Sequence, residues 1–300
     1  MSTLTQVAAP RLGTARQQMA QLNAIKAEVF AWWLTRHTKA GRETLYAARF
    51  TQSLISQRLG GGVNPFQWTR QEDVAKTRDH NGTAWEQGIL YSAAAKSGGF
   101  VNSCAWSTHD CRAGCLQTSG HLGMSNGQIA MACRSEFWWL HTFEAAITLL
   151  DETERQARRI KACGKKVAQR LNGTTDFPWE QAQWFLDLLR EAGVDIHFDY
   201  TKGWRRTGSE HYYLAYSVTE KHTYDQIVPL SVVIVDAVKG MKLPPMWAGM
   251  PVIDGDLTNG DLRFLDPQTN PDAVVLLRKK GNLRNVLGSE NGFVKELHVA

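Results

Sequence analysis

VAQRLNGTTDFPWEQAQWFLDLLREAGVDIHFDY, from Val167 to Tyr200, reads as a strand, a helix and a second strand. Val167 to Leu171 is apolar and closes on Asn172 and a glycine. Asp176 and Pro178 then open a helix whose apolar positions are Trp179, Ala182, Phe185, Leu186 and Leu189. A proline in the first turn and Gly193 at the end are the expected start and stop signals. Val194 to Tyr200 follows as the next strand. Such a unit pairs its two strands in parallel and lays the helix on one face of the sheet.

Working outward, the same polar-bounded apolar runs recur at Tyr212 to Ser217, Ser231 to Val235, Val252-Ile253 and Ala273 to Leu277. Their connections are too short for a full helix each. The expected fold is therefore α/β, a partial or irregular (β/α) TIM-like barrel with an N-terminal α-helical extension.

That extension runs from Thr14 to about Leu59, with Met19, Leu22, Ile25, Val29, Trp32 and Trp33 at helical steps, and is expected to hold two helices breaking near Gly41. Gly60 to Gly62 and Asn64-Pro65 end it. The chain divides accordingly into a basic helical module over 1–62, a connecting segment over 63–97 and the barrel over 98–300. Within the connecting part a short helix is expected over Trp85 to Ala95. After it, Ser125 is a candidate cap for a helix through Ile129, Ala132, Phe137, Leu140 and Phe143. A charged helical stretch follows over Asp151 to Lys166.

Eight Lys or Arg against Glu28 and Glu43 give residues 1–60 a net charge of +6, whereas the whole chain carries +5. A basic module beside a neutral one suggests a polyanion, most simply nucleic acid docking on residues 1–60; a solvated basic helix face explains the charge equally well. No apolar run reaches the roughly 20 residues that cross a bilayer, and no signal-peptide core is present. A cytoplasmic protein without a membrane partner is expected, the host cytoplasm if it is phage-encoded.

Three of the five cysteines, Cys104, Cys111 and Cys115, fall in the stretch Val101 to Asn126 with the spacing C-x6-C-x3-C. The residues between them form turns, and reduced thiols in a cytoplasmic protein point to a metal. Three thiolates on a four-iron cluster leave one iron open, whereas His109 or His121 as a fourth ligand would close a zinc site. Ordinary buried thiols are the bland alternative. Cys133 and Cys163 pattern as core residues.

In parallel sheets, functional groups collect at the carboxyl ends of the strands. Those ends carry Asn172 and Asp176, then Tyr200 and Lys202, then Ser217 and Glu220, then Asp236, then Asp254 and Asp256, then Arg278. Each taken singly has a structural reading as a cap, a turn former or a surface charge. Trp106, Trp204 and Trp247 fall in loops, where an indole can stack on a purine; Trp138 and Trp139 pattern as core.

The cysteine run with the following Gly-Met-Ser-Asn, the segment Arg170 to Glu180, Asp199 to Lys202, and Val252 to Asp256 with Leu262 to Asp266 resemble a phage-encoded group related to radical S-adenosylmethionine enzymes. The resemblance covers roughly residues 98 to 281. It implies that Cys104, Cys111 and Cys115 bind a 4Fe–4S cluster and that S-adenosylmethionine is the cofactor. It further implies that Asn172, Asp176, Ser217 and Glu220 hold that cofactor, with Tyr200 and Lys202 catalytic and Asp254, Asp256 and Arg278 facing substrate. An electron donor is then a required partner. The spacing departs from the C-x3-C-x2-C common in that superfamily. The expected reaction is a radical, isomerase-type modification of a nucleobase, in a phage setting a hypermodified pyrimidine in DNA. The alternatives are a zinc-stabilised nucleic-acid-binding protein without catalysis and a radical enzyme acting on a small molecule.

Overall fold

The computed structural model describes residues 13–60, 69–70, 84–256, 272–280 and 292–297. The glycine-rich linker at 61–65, most of the connecting segment, and Leu262 to Asp266 lie outside them.

In chain order the elements are β1 (Gly13–Thr14), α1 (Ala15–Ala24), α2 (Lys26–Thr35), α3 (Lys39–Arg58), β2 (Thr69–Arg70), β3 (Trp85–Ile89), β4 (Val101–Asn102) and α4 (His109–Ala113). Then come α5 (Ser125–Leu140), α6 (Thr142–Ala162), β5 (Lys166–Arg170), α7 (Gln183–Glu191), β6 (Ile196–Thr201) and β7 (Tyr212–Tyr216). The last are β8 (Val232–Val235), β9 (Met246–Trp247), β10 (Met250–Asp254), β11 (Val274–Arg278) and β12 (Val294–Lys295). One sheet has the order β2-β3-β5-β6-β7 and the other β12-β8-β11-β10-β9. Only β2 and β9, at the edges, run antiparallel to their neighbours. A parallel bridge from Ser217 to Val232 joins the end of β7 to the start of β8. The architecture is mixed α/β with parallel sheets, one of them a half-barrel; a closed barrel is not formed among the described residues.

The unit quoted at the outset forms as read. β5 and β6 pair in parallel through Ala168–Ile196 and Gln169–His197, and α7 lies between them in sequence, preceded by a 3-10 turn over Trp179–Ala182. Phe185, Leu186, Leu188 and Leu189 of α7 are fully buried, each worth about 1.5–3 kcal/mol of transfer free energy. They join Val167 and Tyr212 of the first sheet, Val194 just before β6, residues of α5 and α6, and Met19, Leu22, Val29, Trp32, Trp33 and Leu45 of the N-terminal helices in one apolar core. On the opposite face, Tyr200, Ala215, Val232, Ile253, Val275 and Leu277 form a cluster that spans both sheets.

Three local expectations are corrected. Trp85 to Ile89 is not helical but is β3, parallel to β5 from Trp85–Lys166 to Ile89–Arg170. Its alternation was hidden because Gln87 takes a buried position, while Gly88 makes room for Gln156, whose Oε1 lies 2.6 Å from where a Cβ would stand. The N-terminal segment holds three helices. Gly41 is not a break but sits in the first turn of α3, where a Cβ would come 2.2 Å from the Thr35 carbonyl oxygen. The chain breaks instead before Thr38, whose hydroxyl accepts from the Gly41 N–H at 3.2 Å. Ser125 begins α5 without capping it.

Candidate functional site

β4 pairs with β1 rather than with the first sheet, yet the cysteine loop that follows it lies over the carboxyl ends of β5 and β6. The Ser103 carbonyl accepts from the Asp176 N–H at 2.8 Å, and the Ser103 hydroxyl donates to the Ala93 carbonyl at 2.7 Å. Cys104 is thereby set between two loops. Its sulfur accepts from the Ala95 N–H at 3.2 Å and lies 3.6 Å from the Thr174 carbonyl oxygen. Ala95 has φ 47°, a left-handed conformation that a non-glycine residue adopts only when its surroundings impose it. Cys111 is fixed from the other side. Thr108 caps α4 by accepting from the Cys111 N–H at 3.3 Å, the Cys111 side chain packs on Phe293 and Val294, and Asp110 accepts from the Gly292 N–H at 3.0 Å.

The three thiols share one charged neighbour, Lys202, which follows β6. Burial pushes the Cys104 thiol up to about 12, an effect that the Ala95 N–H and the Lys202 charge only partly offset. Burial also raises Cys115, against the Gln117 backbone and with Cys111 adding to the rise. Burial alone would lower Lys202. The charges of Cys111, Asp176, Cys104 and Cys115 outweigh it, so the ammonium ion is held above its ordinary value. Its Nζ lies 5.7 Å from the centre of the Phe293 ring. Each thiol is thus within electrostatic reach of one cation at the sheet mouth. Among the described residues no three His, Cys, Asp or Glu side chains are grouped closely enough to hold an ion. His109 turns to Asp110, its Nδ1 3.0 Å from Oδ1, and His121 is exposed. Cys133 is buried as expected, whereas Cys163 is exposed rather than part of the core.

A residue that sequence reasoning missed holds this mouth together. Arg206 is buried, and its guanidinium binds Asp176, Glu180 (2.9 and 2.7 Å), the Thr201 hydroxyl (3.1 Å) and the Phe177 carbonyl (2.9 Å). It also lies 5.0 Å from the ring centre of Trp106, inside the cysteine loop. Asp176 accepts from Arg206 and from the Lys202 N–H at 3.0 Å, so both of its oxygens are used within the protein. Asn172 is likewise committed, donating to the Phe177 carbonyl at 2.9 Å and to Asp199 at 3.2 Å, and accepting from Thr175 at 2.8 Å. The only sequence cue for Arg206 is the pair Arg205-Arg206 after a strand, which does not say which arginine turns inward.

The remaining candidates separate. Tyr200 faces the opposite side of β6 from Asp199, stacked under Arg170 at 4.1 Å. Ser217 is buried at the bridge between the sheets. Glu220 lies beside the cysteine loop, since a Cβ on Gly292 would fall 2.7 Å from its own Cβ and 3.5 Å from the Asp110 carboxylate. One of its carboxylate oxygens is buried without a partner among the described residues. Asp254, Asp256 and Arg278 stand together at the strand ends of the second sheet but satisfy one another. Arg278 binds Asp254 twice at 2.7 Å, its N–H donates to Asp256 at 2.7 Å, and Lys280 pairs with Asp256.

Of the N-terminal cations, Arg36, Arg49 and Arg58 pair with Glu154, Asp151 and Glu136 of α5 and α6. Trp247 is buried, its indole N–H donating to the Glu296 carbonyl at 3.1 Å, whereas Trp204 is exposed. No helix among the described residues is long and apolar enough to cross a membrane.

A family model described as Gene product 88 matches residues 68–295, leaving the three N-terminal helices outside the match. Comparison with curated proteins and with solved structures gives no match.

Proposed function

This chain belongs to the gene product 88 family, a phage-type family, and we propose that it is an iron–sulfur enzyme that carries out radical chemistry on a nucleobase with S-adenosylmethionine. The observation that supports this reading is that three thiols belong to a single short loop packed over the carboxyl mouth of a parallel sheet, with Cys104 held between Ala95 and Thr174 and Cys111 held by Thr108. Three soft ligands, with His109 turned to Asp110 and His121 exposed, suit a cluster with an open iron better than a closed zinc tetrahedron.

Cys104, Cys111 and Cys115 hold the 4Fe–4S cluster in this account. When bound, the cluster and S-adenosylmethionine would supply hydrogen-atom abstraction from carbon, with the electron coming from a donor protein. Lys202 offsets the negative charge of three thiolates in a half-buried site. Asp176 and Arg206 fix the loop on which the thiols depend, which makes them positioning residues. Asn172 belongs to the same scaffold. Glu220, with its unpartnered oxygen, is placed to accept from an amino or hydroxyl group of the cofactor. In a phage setting, the reaction we propose is a radical rearrangement of a hypermodified pyrimidine.

The test is incubation of reduced, iron-loaded protein with S-adenosylmethionine under anaerobic conditions. 5′-Deoxyadenosine should accumulate, and Cys111→Ala should form none. A fully loaded wild-type protein that leaves S-adenosylmethionine intact would refute the proposal.

A further inference from the structure

The loop after β6 carries a feature that the thiol site does not use. Trp204 is 64% exposed, and the Arg205 guanidinium lies 4.6 Å from its ring centre. An exposed indole with a guanidinium beside it offers a flat ring and a positive charge together, the pair that contacts a base and its phosphate. Arg205 makes no ion pair with a carboxylate among the described residues. Its charge is therefore available, unlike those of Arg36, Arg49 and Arg58, which acids of α5 and α6 already engage.

The platform is rigidly based. Gly203 lies against Trp106 and Arg206, where a Cβ would meet their atoms at 2.9 and 2.8 Å, and Arg206 is locked into its buried network. One residue before Gly203 stands Lys202, within reach of the three thiols. A second exposed cation, Arg112, is held on the cysteine loop by the Ser107 carbonyl at 2.7 Å. An exposed aromatic face, free guanidinium charge and a fixed base beside a recessed site are the components that hold single-stranded nucleic acid. The base stacks on the ring, and arginine takes the phosphate.

We propose that Trp204 and Arg205 are the docking platform for single-stranded nucleic acid, presenting one base to the mouth next to Lys202, and that the basic N-terminal helices are not the principal contact. This deepens the function proposed above and rests on it for the reaction the docked base undergoes.

The experiment measures binding of a fluorescein-labelled single-stranded oligothymidylate to anaerobically purified full-length protein by anisotropy, at two salt concentrations, with iron content measured on every sample. Trp204→Ala should weaken binding by about 10-fold or more. Arg205→Ala should reduce the steepness of the salt dependence by roughly 0.7. The triple variant Arg16→Ala, Lys26→Ala, Arg42→Ala should bind nearly as the wild type. Wild-type affinity in Trp204→Ala, loss of affinity in the triple variant, or equal affinity for a free mononucleotide would overturn the docking proposal. Binding through Trp204 by protein that, fully iron-loaded, leaves S-adenosylmethionine intact would support the platform and remove the radical reading; 5′-deoxyadenosine formation with no effect at Trp204 would do the reverse.

Discussion

Replacing Arg206 by Gln removes the guanidinium while leaving Asp176 and Glu180 where they are. Asp176 has a side-chain exposure of 3% and Glu180 of 19%, so at least one carboxylate is left buried and unpaired. Breaking a buried pair from one side costs about 3–5 kcal/mol, far more than the same change on a surface. The bonds to the Phe177 carbonyl and the Thr201 hydroxyl go as well. For a chain of this size the thermal midpoint should fall by roughly 10 °C. Urea denaturation of Arg206→Gln, Asp176→Asn and the double variant gives the assay. Neutralising Asp176 in the Arg206→Gln background should recover part of the loss, with a coupling of about 1–3 kcal/mol. A loss below about 1 kcal/mol, or effects that simply add, would show that the network does not hold the mouth as described.

Two further outcomes follow from buried titratable groups. His197 is fully buried beneath α7, and burial lowers it to about 3. The folded protein then binds fewer protons than the unfolded chain below the ordinary histidine value. The stability His197 contributes is present above about pH 6.5 and is lost as the pH falls towards 3, by on the order of 5 kcal/mol. Denaturation midpoints of wild type and His197→Leu should converge or cross on acidification, and parallel curves would contradict this. Cys104, raised to about 12, is protonated at neutral pH in metal-free protein. Iodoacetamide should therefore modify it far more slowly than exposed Cys163, read by peptide mass spectrometry, and equal rates at pH 7 would be the adverse result.

The sequence made the parallel framework legible wherever apolar runs were bounded by turn residues, as in the pairing of β5 with β6 around α7. It concealed β3, because Gln87 and Gly88 serve contacts with neighbouring elements that no local pattern records. Gly41 misled for the same reason: its missing side chain answers to the Thr35 carbonyl, not to a helix break. At the site, the thiols and Lys202 were visible as residue types and spacings. Asn172 and Asp176 were visible too, but their bonds lie within the scaffold, with partners 27 and 30 residues away. Arg206 and the exposure of Trp204 depend on which way each side chain turns, which only the folded loop decides.

The central claim is tested most directly by measuring iron and acid-labile sulfide per chain in anaerobically purified wild type and Cys111→Ala. The account predicts about four of each in a brown wild-type protein, and loss of both in a variant whose circular dichroism is unchanged. A colourless preparation carrying only zinc, or full iron retained in Cys111→Ala, would contradict it.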